Sequence, residues 1–228
     1  MALLLNIDTA TDHASVCLTK DETILGLIES TEQKNHASFI QPAIAELMQS
    51  GGYALQALDA IAVTSGPGSY TGLRVGLATA KGICYALNKP LILLNTLEVM
   101  AQSVLTGYQK PLDAAALICP MIDARRMEVF TALYDQQLNE KETPHALILD
   151  EHSFESLLSE NPVLFTGSGH PKLKALLSNK AAFFSDIQHN ASHLAIRALK
   201  AYHLNEFANL AYSEPLYVKE FFNPLKKA

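Results

Sequence analysis

The stretch SGPGSYTGLRVG, Ser65 to Gly76, places four glycines and a proline where a strand gives way to a helix. DAIAVT, Asp59 to Thr64, reads as a short buried strand and Thr71 to Leu87 as the helix after it, so the glycines stand where the backbone turns sharply. Amide groups at such a helix start attract anions through unpaired donors and the helix dipole, which makes Gly66, Gly68 and Ser69 a candidate anion-binding loop. The same glycines would equally serve to form the turn and let the helix lie close to its neighbours. A P-loop is excluded: it needs Lys and then Ser or Thr after its last glycine, and Gly72 is followed by Leu73 and Arg74. A dinucleotide fingerprint begins with Gly66 and Gly68 but meets Thr71 where it needs glycine.

Between Gly72 and Leu87 the clearly polar side chains are Arg74, Thr79 and Lys81, and the apolar ones are spread around the whole axis. A helix apolar on nearly every face is covered on more than one side. Gly72, Gly76, Ala80 and Cys84 recur at every fourth position and form a smooth stripe that another helix could approach closely. The neighbouring helix, Ala37 to Met48, is broadly apolar through Phe39, Ile40, Ala43, Ile44, Leu47 and Met48. Either the pair is internal to its own chain, or it forms a docking surface for another subunit.

The chain of 228 residues is 49% hydrophobic and 18% charged, enough for a substantial core in one large or two small domains. No apolar run approaches the ~20 residues that span a bilayer, and no basic stretch precedes Ala2 to Leu5, so a cytoplasmic protein without membrane contact is expected. A net charge of −6 argues against an extensive nucleic-acid surface of its own. Cys17, Cys84 and Cys119 fit neither a disulfide framework nor a zinc site and are expected to be reduced and buried. His189 and His193 have the helical spacing of metal ligands but no accompanying carboxylate. With Asn190 or Ser192 capping a helix that runs to Leu204, both histidines are expected in its solvated first turn, without metal.

The halves of the chain repeat one plan. Leu3 to Asp8, Ala14 to Thr19 and Thr23 to Ser30 read as three strands, followed by a helix, a strand, the glycine loop and a second helix. Ala115 to Asp123, Glu128 to Tyr134 and His145 to Asp150 begin the same series again. It continues with a helix from Ser153, a strand from Val163 to Thr166, Gly167 to Gly169, and another helix. The expectation is a duplicated α/β fold of two mixed-sheet lobes flanked by helices, residues 1–106 and 107–228, with the last helix packing back on the first lobe. Asp8 and Asp123 end the first strand of each half.

Four segments together resemble the TsaB (YeaZ) family of tRNA threonylcarbamoyladenosine biosynthesis dimerization subunits. They are LNIDTATDHASVCL from Leu5, SGPGSYTGLRVGLATAKG from Ser65, PMIDARRMEVF from Pro120 and EPLYVK from Glu214. The second is the most specific; Met127 and the pair Val218-Lys219 depart from the pattern, which expects a smaller residue and Leu-Arg. The resemblance implies the actin-like and sugar-kinase-like ATPase (ASKHA) fold. It also implies docking of a TsaD-like catalytic paralogue and a TsaE-like ATPase, a homodimer when the chain is alone, and tRNA reached only through the complex. Docking in this family uses the two helices of the first lobe. The residues expected at that interface are His36, Phe39, Ile40, Ala43, Ile44, Leu47, Gly72, Leu73, Arg74, Gly76, Ala80 and Cys84.

The superfamily's enzymes hold metal and phosphates between aspartates of the two halves, which would place a vestigial nucleotide cleft at Asp8, Thr9, Asp123 and Arg125. The loops after these aspartates, TATD and ARRM, are thin in groups that grip a triphosphate. The paralogue's metal site uses two histidines four apart, and here His36 is followed four residues on by Ile40. The resemblance therefore implies a non-catalytic scaffold with no metal and no cofactor. The alternatives are a nucleotide-binding kinase or hydrolase of the same fold, and a nucleic-acid module using Arg125, Arg126, Lys172 and Lys174.

Overall fold

A computed structural model describes residues 1–31 and 36–219. In the first half, β1 (Leu3–Asp8), β2 (Ala14–Lys20) and β3 (Thr23–Ser30) form an antiparallel meander. After α1 (His36–Gly51), β4 (Ala60–Gly66) joins β1 in parallel; after α2 (Tyr70–Leu87), β5 (Leu91–Asn95) joins β4 in parallel, and α3 (Thr96–Gly107) follows. The second half runs β6 (Leu117–Asp123), β7 (Glu128–Tyr134), β8 (Glu140–Ile148), α4 (Glu155–Glu160), β9 (Val163–Thr166), α5 (His170–Leu176), β10 (Ala182–Ser185) and α6 (Ala191–Leu204). The sheets have the orders β3-β2-β1-β4-β5 and β8-β7-β6-β9-β10, one topology used twice. The duplicated mixed-sheet plan read from the sequence is therefore the observed one, with a fifth strand in each half that the pattern did not reveal.

Strand periodicity divides the core. In β1, Leu3, Leu5 and Ile7 point to the face covered by α1 and α2, where they meet Ile40, Ile44, Leu77 and Cys84. Leu4 points the other way, with Ala60, Ala62 and Ile92, onto Ala198 and Ala201 of α6. In β6, Cys119 and Met121 face Leu158 of α4 and Leu173 of α5, whereas Ile118 and Ile122 face Leu97 and Met100 of α3. The molecule is thus layered as helices, sheet, the middle helices α3 and α6, second sheet, helices. No described helix is long and apolar enough to cross a membrane.

All three cysteines are free and buried. Burial pushes each thiol up to about 12, and at Cys84 and Cys119 it outweighs hydrogen bonds that act the other way. Since the thiolate is the reactive form, an aromatic disulfide reagent at pH 8 should label none of the three in the native chain and all three after denaturation. Fast labelling of the folded protein would contradict this packing.

Candidate functional site

The glycine loop is tied to its own protein. Gly66 and Gly68 have φ of +118° and +159°, in the region that favours glycine. A Cβ on Gly68 would lie 2.1 Å from the Ala10 carbonyl oxygen, and one on Gly66 would lie 2.6 Å from that of Leu216. The Ser69 amide donates to Ala10 O at 2.7 Å, and the Ser69 hydroxyl oxygen caps α2 by accepting from the Gly72 amide at 3.3 Å. The Leu216 amide donates to Ser65 O at 2.7 Å, so the chain's last described segment lies across the loop. Gly66 and Gly68 thus let the loop lie close against Leu216 and Ala10.

Asp8 is buried at the end of β1. Its Oδ1 accepts from the Thr64 hydroxyl at 2.9 Å and from the Ala10 amide at 3.1 Å, while Oδ2 stands 3.3 Å from Nε2 of His189. Thr9, also buried, donates its hydroxyl to the Gly72 carbonyl at 2.8 Å. Asp123 is the more accessible of the two aspartates. Its Oδ1 accepts from the Lys172 ammonium at 2.7 Å and from the Arg125 amide at 2.6 Å. Partial burial pushes the Asp123 carboxyl up, but Lys172 and the Arg125 amide outweigh it, so the group titrates below its ordinary value. Arg125 and Arg126 adopt positive φ of 71° and 48° in the tight turn between β6 and β7. Each aspartate is thus committed to its own internal network.

The expectation for the α6 start needs correction. Asn190 does cap α6, and the His193 side chain completes a capping box by accepting from the Asn190 amide at 3.1 Å. His189, however, is buried on Asp8 rather than solvated. Burial, and then the neighbouring His189, push the His193 imidazole below its ordinary value. Among the described residues no cluster of three or more His, Cys, Asp or Glu is placed to hold a metal ion.

The two front helices turn most of the expected interface residues inward. Ile40, Ala43, Ile44 and Leu47 of α1 and Leu73, Gly76, Ala80 and Cys84 of α2 are buried on the first sheet or its edge. The stripe lies against β1 and β4: a Cβ on Gly72 would be 2.1 Å from Thr9 O, and one on Gly76 2.3 Å from Thr9 Oγ1. His36 is buried too, with Nε2 2.9 Å from the Thr11 carbonyl. Phe39 is half-buried against the core, and Arg74 is exposed, its guanidinium 4.7 Å from the Tyr70 ring centre. What these helices present outward is different: Ala78, Thr79, Gly82, Ile83, Ala86 and Leu87 of α2, with Gln41 of α1 and Leu55, line a shallow apolar groove of about 450 Å³. Tyr85 projects beside it, 83% exposed.

A family model described as TsaD, tRNA N6-adenosine threonylcarbamoyltransferase, matches residues 20–220. The tRNA threonylcarbamoyladenosine biosynthesis protein TsaB of Bacillus subtilis is 32% identical over 194 residues, 82% of each chain. The chain belongs to the TsaB family. The Escherichia coli TsaB is 35% identical over 60% of this chain and 56% of its own. A transferase is similar as well: the tRNA N6-adenosine threonylcarbamoyltransferase of Erythrobacter litoralis is 36% identical, over 45% of this chain and 35% of its own. YeaZ from Pseudomonas aeruginosa superposes with a TM-score of 0.79 at 24% identity, covering 95% of this chain and all of that one. At that identity the likeness speaks for the fold, as does a TM-score of 0.50 with the ethanolamine utilization protein EutJ from Carboxydothermus hydrogenoformans.

Two side chains that engage these aspartates were not read as their partners from the sequence of this TsaB-family chain. His189 lies 181 positions from Asp8, and no local period links them. Lys172 stood out only as part of a basic cluster; its partner Asp123 lies on another element.

Proposed function

We propose that this chain is a non-catalytic scaffold in tRNA threonylcarbamoyladenosine biosynthesis, docking a TsaD-like catalytic paralogue through the outward surface of α1 and α2. A TsaE-like ATPase joins the assembly, tRNA is reached only through the complex, and the chain alone pairs with itself through the same surface. Such work on tRNA belongs in the cytoplasm. The observation that carries the reading is the apolar groove of Ala78, Gly82, Ile83 and Ala86 on a helix pair whose other side already completes the core. A C2 pair can bury that groove against itself, and a paralogue of the same fold offers an equivalent surface. The internal engagement of Asp8 and Asp123 supports a role without bond-making.

Mixing the chain with the paralogue should convert a homodimer into a 1:1 heterodimer, read by light scattering after size exclusion; a chain that stays monomeric alone and in the mixture sinks the proposal. Isothermal titration of the isolated chain with magnesium ATP should give no saturable heat at micromolar concentrations. Micromolar binding that disappears in Asp8→Asn would favour the kinase or hydrolase reading.

A further inference from the structure

A second, larger cavity of about 690 Å³ lies away from the front helices, between the outer face of α6 and the turn joining β2 to β3. Its size falls within the roughly 300–1,000 Å³ of small-molecule sites. Aliphatic surface dominates the walls, from Ile24 at the start of β3 and Ala195, Ile196, Leu199 and Leu204 of α6, with Thr19, Thr106, Ser192 and His193 adding polar groups. On α6, Ile196, Lys200 and Leu204 recur at every fourth position along the exposed side, about 12 Å from first to last, whereas Ala195 is buried and Leu199 packs against the alanines that meet the first sheet. Ile196 and Leu204 are 47% and 57% exposed, an unusual allowance on a helix whose core-facing side is already filled.

Lys200 stands in that apolar row, four residues after Ile196 and four before Leu204, and it forms no ion pair among the described residues. His203 follows one turn later and also lines the cavity. Of the two carboxylates at the rim, Asp21 is engaged by the Ala2 amide at 2.7 Å, and Glu22 sits in the β2–β3 turn. We propose that this cavity binds an aliphatic carboxylate, its chain between Ile24, Ile196 and Leu199 and its head group on the Lys200 ammonium. Apolar burial supplies most of the affinity, and the single ion pair selects the charge of the head.

The test uses decanoate, decanol and decylamine below any micelle-forming concentration, with binding read by displacement of the fluorescent anion anilinonaphthalene sulfonate and by titration calorimetry. Decanoate should bind once per chain and more tightly than decanol, with decylamine weakest. Lys200→Gln should weaken decanoate about fivefold and leave decanol unchanged. Ile196→Glu, at an exposed position that leaves the melting temperature in place, should abolish decanoate binding. Gly82→Arg, in the front groove, should change none of these affinities. Equal affinity for the three probes, indifference to both α6 substitutions, or loss of binding in Gly82→Arg would each overturn the assignment.

Discussion

Gly76→Leu is expected to unfold the first lobe. A Cβ at this position would lie 2.3 Å from Thr9 Oγ1 and 3.5 Å from Val63 Cγ2, both in the buried seam between α2 and the sheet. Leucine adds three further heavy atoms at a place without room for the first. Displacing Thr9 also breaks its hydroxyl bond to Gly72 O, leaving a buried hydroxyl donor without its partner. Overpacking costs about 1–3 kcal/mol and an orphaned buried donor about 1–3 more, together a large part of the ~5–15 kcal/mol that stabilises a typical domain. The urea midpoint should fall steeply, with loss of helical circular dichroism under mild conditions. A variant with the parental midpoint would mean that the small-residue stripe is not pressed on β1 and β4.

Gly82→Arg is expected to do the opposite: spare the fold and abolish pairing. No heavy atom lies within 4 Å of a Cβ added at Gly82, which is exposed in mid-helix. Replacing glycine there by a good helix former contributes about 0.5–1 kcal/mol to the isolated chain, so its melting temperature should hold or rise. In the proposed complexes the guanidinium would enter the apolar groove without a partner, where burying an unpaired charge costs several kcal/mol. Self-association and affinity for the TsaD-like paralogue should both drop by more than about a hundredfold, or ~2.7 kcal/mol. Unaltered pairing by sedimentation velocity would remove this surface from the proposal. The contrast between two glycines six positions apart on one helix separates the face that completes the core from the face offered outward.

Much of the architecture was legible because its signals are local. The period-two runs of β1 and β2, the glycine loop and the α2 pattern lie within single windows of sequence, and the match of Asp8 to Asp123 followed from aligning the halves. The fifth strands were not legible. β5 is a five-residue run, LILLN, that follows α2 after three residues, and β10 is only the four residues AFFS. β8 begins at Glu140 because its register continues opposite Tyr134 into charged sequence, a matter of pairing and not of composition. The orientation of α2 was hidden for a related reason. A helix apolar on most faces has no unique inward side until the sheet is in place, and glycine satisfies a tight core seam as well as it satisfies a docking seam. The pairings of His189 with Asp8 and of Lys172 with Asp123 were unreadable because the partners lie 181 and 49 positions apart in the chain.

The exchange of middle-layer helices has a consequence for dissection. The first sheet's back face, with Leu4, Ala60, Ala62 and Ile92, is roofed by Ala198 and Ala201 from the far end of the polypeptide, and α3 from the first half lies on Ile118 and Ile122 of the second. Cutting the gene between residues 106 and 107 would therefore yield two fragments, each missing a lid that the other carries. Neither should remain soluble by itself, and co-expression should restore a nicked but native particle.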